Sequence, residues 1–514
     1  MKPCELVTYF REKCPCCSSG RTECPVYPTE VVFAVDMSAD VTQAIFNRMK
    51  TMVINFVQDL KITESNCPTG ARVAILTYSS TAKTFIRFSD FRSKQKLLEG
   101  LQNLAYERSN SRRNVGTAMR FAAKNTFKRV RHGVLGRKVA IFITNGPSRE
   151  ISEVTTAALE FSALDITPVV ISFANVPEIQ RAFEIDETRM FQVVVLSRQR
   201  QEAQEQLRKV RLCTFCFDTC EPNAQCQQAI SPSPIPINMD VAFVVDGSRN
   251  LKMMDFERIK DFLSSMLDTF IISRSPKTSD NRARVALVQY SPPGYLPRSG
   301  QMPVNLEFGF LSYGTKSLMK RHIENSFKKL EGSSWTGHAI EWTLNNVFLS
   351  APNPRRHKVI FLILAGETNA FDTEKLRAVS LQAKCKGFVI FAFFLGKDVT
   401  RTNLQELVSA PSDQHLVHLD HILNHEMTYV QRFARAFLKS LTLRINRYPY
   451  PALQRECQRA ALVRSRPEET PQSLEGAASV GGPETIQIVE EEDFEEEMEF
   501  PEGAKAESTT DMIY

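Results

Sequence analysis

Residues 31–40 read VVFAVDMSAD: five residues suited to a buried strand, then Asp36, Ser38 and Asp40 spaced two apart. The pattern returns as VAFVVDGSRN over 241–250. Two further pairs follow in the same order, ARVAILTYS (71–79) with ARVALVQYS (283–291) and KVAIFITNG (138–146) with KVIFLILAG (358–366). Ordered matches about 210–220 residues apart mean two copies of one domain.

In the first copy, strands are predicted at 31–35, 72–78, 83–88, 138–144, 167–173 and 191–196. Between them lie stretches such as TQAIFNRMKTMVINFVQDL and SEVTTAALEFSALD, whose apolar residues recur at three and four, as on one face of a helix. The runs VAIFIT, VIFLIL and FVIFAFF are apolar at every position. That pattern predicts strands covered on both faces, as in a parallel sheet between helices. The short SSTA link before residue 83 predicts one antiparallel hairpin. The expected fold is α/β, two tandem doubly wound domains whose ligands bind beyond the carboxyl ends of the strands. Asp36, Ser38 and Asp40 fall at that edge.

The organisation read from the sequence is a Cys-rich segment (1–28), a first domain (29–212), a Cys/Pro-rich linker (213–239), a second domain (240–446) and a disordered acidic tail (447–514). The 514 residues are 43% apolar and 24% charged, enough for several true cores. With 21 glycines the chain itself contains no Gly-X-Y triple helix. Residues 466–514 hold 15 acidic and two basic groups, so the remainder carries +19 within a total of +6. A basic body of that kind attracts polyanions.

Nine of the 12 cysteines cluster outside the predicted cores: Cys4, Cys14, Cys16, Cys17 and Cys24 at the start, and Cys213, Cys216, Cys220 and Cys226 in the linker. Cys67, Cys385 and Cys457 stand apart. The clusters predict disulfides and an oxidising compartment. Zinc held by the four linker thiolates is the rival reading. The first residues lack the apolar core of a secretory leader, no run of 18 apolar residues could span a membrane, and no Asn-x-Ser/Thr sequon occurs. An extracellular protein with this sequence is therefore expected to be a fragment, or an odd transcript, of something longer; an intracellular form is the other expectation.

A strand ending in Asp-x-Ser-x-Ser at the top of an α/β sheet resembles the von Willebrand factor type A domain. That family binds Mg²⁺ through the Asp and two Ser of this loop, a Thr in T-x-T-G-x-A-L, and an Asp in T-D-G; hydroxyls and carboxylates suit a hard octahedral cation. The likeness covers about 30–212 and 240–446. In the first copy it aligns Asp36 and Ser38, with Asp40 for the second Ser, Arg113 for the Thr and Asn145 for the last Asp. In the second it aligns Asp246 and Ser248, with Asn250, Ser334 and Ala365 at the remaining positions. Arg113 is a fixed cation where the family supplies Mg²⁺, and it is expected to pair with Asp36 or Asp40. Both sites are expected to be metal-free remnants, and no cofactor is expected. The Cys-rich start, paired domains and departing tail resemble, more narrowly, the C-terminal globular region of a type VI collagen α chain of the longer, α3-like kind. The resemblance implies chain assembly and matrix or cell contacts, with other such chains or matrix proteins as partners.

Basic residues cluster at matching places in the two copies: Lys128, Arg129, Arg131 and Arg137, and Arg355 and Arg356. They read as helix-end cations, with a heparin-like glycosaminoglycan site as the sharper alternative. No nucleic-acid reading module accompanies them. No Gly-x-Gly-x-x-Gly, P-loop, Gly-x-Ser-x-Gly or His-Glu-x-x-His occurs, so no enzyme is predicted. His415, His418, His421 and His425 read as end-of-strand and turn residues, and Trp335 as packing against its own helix, with a partner anchor as the alternative. Two functions follow: a secreted, non-enzymatic matrix module, or an intracellular adaptor built from two degenerate domains.

Overall fold

The computed structural model describes residues 4, 5, 9, 24, 25, 27–63, 70–127, 136–148, 150–218, 220–227, 231–396, 401–419 and 424–464. The first copy runs β1 (Thr29–Asp36), α1 (Gln43–Asp59), β2 (Ala71–Tyr78), β3 (Ala82–Ile86), α2 (Lys94–Gln102), α3 (Val115–Phe121), β4 (Arg137–Thr144), α4 (Ile151–Leu164), β5 (Ile166–Ser172), α5 (Pro177–Phe183), β6 (Gln192–Val195) and α6 (Arg200–Val210). The second runs β7 (Met239–Asp246), α7 (Met253–Thr269), β8 (Arg284–Tyr290), β9 (Val304–Phe308), α8 (Lys316–Asn325), α9 (Thr336–Thr343), β10 (His357–Leu364), α10 (Thr373–Cys385), β11 (Val389–Leu395), α11 (Arg401–Leu407), α12 (Ser412–His415), β12 (Leu416–Leu419) and α13 (Asn424–Thr442). A last helix, α14 (Gln454–Arg464), follows.

Each copy is a six-stranded sheet of one topology, β3-β2-β1-β4-β5-β6 and its equivalent β9-β8-β7-β10-β11-β12. All pairings are parallel except β2–β3, the predicted hairpin, and β8–β9. β1 and β7 lie centrally and are buried at every residue. That explains runs apolar on both faces rather than alternating. Glycine in the G-x-A segment has a packing reason: a Cβ on Gly116 would lie 2.5 Å from the Val154 backbone nitrogen, and one on Gly337 2.6 Å from that of Leu376. The helix after the Arg113 loop, and its equivalent after Ser334, thus press against the next helix of their own copy.

Four disulfides join described cysteines: Cys4–Cys220, Cys24–Cys216, Cys213–Cys226 and Cys385–Cys457. All four linker cysteines are consumed, so none is left as a zinc thiolate. Cys14, Cys16, Cys17 and Cys67 lie outside the described residues.

Three regions go beyond the sequence reading. The linker begins inside the first core: Phe215, in a π-helical turn after α6, is fully buried with its ring 5.4 Å from Phe56 and 5.9 Å from Phe33. Burying a phenylalanine is worth about 1.5–3 kcal/mol, an anchorage hidden in a Cys-rich stretch. The segment after residue 446 is not wholly unstructured, because Cys457 ties α14 to the end of α10 through Cys385. The acidic run itself lies outside the described residues. Finally, α4 is buried over nine of its 14 residues because α13 of the second copy covers the side that its own sheet does not. Gln414 donates to the Ser152 carbonyl and the Thr156 hydroxyl, both at 3.1 Å, and Arg120 pairs with Asp413 at 2.9 Å.

Candidate functional site

The upper edge of each sheet is where the loops after β1, before α3 and after β4, or their equivalents, converge. In the first copy β1 ends on Asp36, which is wholly buried. Its Oδ1 accepts the Ser38 backbone N–H at 2.9 Å and its Oδ2 that of Asn145 at 3.0 Å. Arg113 enters from the residue before the Asn114 cap of α3, whose side chain accepts the Thr117 N–H. Arg113 Nε donates to Asp36 Oδ2 at 2.5 Å, Nη1 to the Pro147 carbonyl at 3.2 Å, and Nη2 to Asp40. Asp40 Oδ1 also accepts from Ser38 Oγ at 2.8 Å. The guanidinium of this buried residue therefore bridges both carboxylates.

The electrostatics follow. Burial works against ionisation of both Arg113 and Asp40. For Arg113 the Asp36 charge and the carboxylate hydrogen bonds outweigh it and hold its pKa above the usual arginine value. For Asp40 the hydrogen bonds from Arg113 and Ser38, with the Arg113 charge, hold it below the ordinary carboxylate range.

In the second copy the same strand end, Asp246, is also wholly buried. It accepts the Ser248 N–H at 2.8 Å, the Ser291 hydroxyl at 3.3 Å and the Ala365 N–H at 3.2 Å. No cation pairs with it among the described residues, and burial pushes its pKa up despite those bonds. Ser334 Oγ, at the Arg113 position, lies 3.3 Å from Thr336 Oγ1. Asn250 is exposed and abuts Gly366, where a Cβ would sit 2.5 Å from its Nδ2. Among the described residues no three His, Cys, Asp or Glu side chains converge in a way that could hold a metal ion.

Several other residues have roles that spacing did not disclose. Asp372, wholly buried, accepts the N–H of Gly337 at 2.6 Å, the Thr368 hydroxyl at 2.6 Å and His338 Nδ1 at 2.5 Å. It lies in no recognised motif. Trp335 is 6% exposed and edge-on to Tyr295 and His338, so it is not displayed as a partner anchor. His415 is no ordinary turn residue: it is fully buried, contacts the Pro411 carbonyl at 2.8 Å and Tyr448 Oη at 2.6 Å, and burial pushes it down to about 4. His418 contacts the Gly396 carbonyl, while His421 and the His425 side chain lie outside what is described.

Two of the six basic candidates face inward. Arg137 donates to the carbonyls of Thr214 at 2.9 Å and Phe217 at 3.1 Å, and burial lowers it to about 10. Arg355, 3% exposed, pairs with Asp280 at 2.9 Å. Their charge holds the linker and the lower loops rather than facing solvent. Arg356 is exposed; Lys128, Arg129 and Arg131 lie outside the described residues.

A model of the von Willebrand factor type A domain matches residues 30–205 and 240–431. The collagen alpha-6(VI) chain of Mus musculus is 47% identical over 456 residues, 89% of this chain and 20% of that one. The collagen alpha-5(VI) chain of Homo sapiens is 40% identical over 455 residues, 88% of this chain and 17% of that one. Matrilin-1 of Homo sapiens is 25% identical over 438 residues, 76% of this chain and 80% of that one. The chain thus spans about a fifth of the length of the collagen relatives. With two sheets of one topology, both copies matched by the family model and the loops of each copy at the expected strand ends, the chain belongs to the von Willebrand factor type A domain family.

Proposed function

We propose that this chain is a non-enzymatic extracellular-matrix module, the C-terminal globular part of a type VI collagen-like α chain of the longer, α3-like kind. It contacts other chains, matrix proteins or cells through metal-independent surfaces. Supporting the matrix setting are the likeness to collagen VI chains along most of the sequence and the four disulfides, which fit a secreted protein and weigh against an intracellular adaptor.

The observation that carries metal independence is Arg113. A buried guanidinium bonded to both Asp36 and Asp40 takes the charge-compensating role of a divalent ion, and an ion there would face a fixed positive charge. In the second copy the positions aligned with the family's ligands keep one carboxylate, Asp246, and Ala365 offers no side-chain oxygen. Hard cations of this size are held by carboxylates with supporting oxygens, and this donor set does not fit one.

The test is binding of the full chain to immobilised collagen VI in Mg²⁺ and in EDTA, with Mg²⁺ titration calorimetry alongside. Equal binding in both buffers and no saturable Mg²⁺ heat in the millimolar range are expected. Binding lost in EDTA would overturn metal independence, and no binding in either buffer would overturn the collagen VI contact.

A further inference from the structure

We infer that the second copy takes a lysine or arginine side chain of a partner protein into a cleft beside its Asp246 edge. The inference deepens the matrix-contact reading and rests on it for the partner being a protein. The cleft, about 70 Å³ in volume, lies beyond the end of β10 and between α9, α10 and α11. Leu364, Leu376, Leu404 and Leu407 line it. Walls of this kind suit an aliphatic stem.

The mouth selects the head group. Glu367 stands there exposed, and no cation pairs with it among the described side chains. The nearest basic residues of α10 are engaged elsewhere, Lys375 with Glu341 at 2.6 Å and Arg377 with Glu406 at 3.4 Å. Two residues before Glu367, Ala365 donates its N–H to Asp246, with which no cation pairs among the described residues either. An apolar slot with an exposed carboxylate at its rim attracts a methylene chain ending in a positive charge. The first copy shows the same chemistry satisfied internally, since Arg113 holds its Asp36 and Asp40. The second has Ser334 at that position, and among the described residues no cation pairs with its Asp246.

The test uses the full chain with ¹³C-methyl-labelled leucine, titrated with Nα-acetyl-lysine N-methylamide and with its Nε-acetylated form. The charged compound is expected to shift Leu364, Leu376, Leu404 and Leu407, and Glu367→Gln to weaken it about three- to fivefold, the range of exposed ion pairs. The acetylated form should leave these signals in place. Leu404→Trp, which fills the slot, should abolish the response while the remaining spectrum reports an intact fold. The inference is overturned if none of the four leucines moves, if both compounds shift them equally, or if Glu367→Gln leaves the affinity unchanged. This assay contains no collagen, so its failure leaves the matrix reading standing. Loss of collagen VI binding with the leucine shifts intact would instead overturn that reading.

Discussion

The two copies share a strand order, a strand-end aspartate and the same bonds to that aspartate from backbone N–H groups, yet they treat its charge in opposite ways. Asp36 is neutralised in place by Arg113, whereas Asp246 is buried with neutral donors alone. A duplicated scaffold can therefore keep one loop geometry while surrounding its strand-end aspartate with different partners. What differs includes the residue before the cap of α3 and its counterpart before α9, Arg113 and Ser334, together with Asp40 against Asn250 and Asn145 against Ala365.

The most damaging way to probe this contrast is to remove the internal cation. Arg113→Ala leaves Asp36 buried and unpaired and is expected to cost about 3–5 kcal/mol of unfolding free energy. Ser334→Ala at the matching position removes one weak hydroxyl contact and should cost about 1 kcal/mol or less. Chemical denaturation of the two variants decides it; equal losses would show that the arginine does not carry the first site.

Next in size is an attempt to restore the metal. Ala365→Asp returns a second carboxylate to the second copy, where no cation blocks it, and is expected to yield Mg²⁺ binding. With a millimolar dissociation constant, 10 mM Mg²⁺ would stabilise that variant by about 1.4 kcal/mol. Asn145→Asp in the first copy should gain nothing while Arg113 remains. Calorimetry and Mg²⁺-dependent melting read both, and an Asn145→Asp response as large as that of Ala365→Asp would contradict the blocking role of Arg113.

The smallest effect is in pH. The Asp40 pKa is lowered by folding, so its contribution is present above the ordinary carboxylate value and is lost as pH falls through the lowered one. The Asp246 pKa is raised, so its ionised form costs stability at neutral pH, and that cost is relieved as pH falls through the raised value. On acidification from neutrality the second site should gain before the first begins to lose. Asp40→Asn should soften the loss at the acid end and Asp246→Asn should flatten the earlier gain, both seen in melting temperature against pH. An Asp246→Asn profile identical to that of the parent chain would refute the charge assigned to that site.

The sequence by itself determined the two-copy architecture, because three ordered motif matches and runs apolar at every position leave few alternatives to a covered parallel sheet. It also placed Asp36 and Asp246 at the ends of their strands, since a strand's last residue is a local matter, and the family resemblance set Arg113 beside Asp36. Only the tertiary structure decided the rest. Arg137 and Arg355 look like solvent cations in a linear reading, but burial and carbonyl partners turn them inward. Cys385 and Cys457 are 72 residues apart and meet only because α14 returns to α10. Asp372 finds His338, and Gln414 finds Ser152, across distances no periodicity encodes. The physical reason is common to all: hydrophobic period and capping act within a few residues, whereas the partner of a buried polar group is chosen by which surfaces the packed elements bring together.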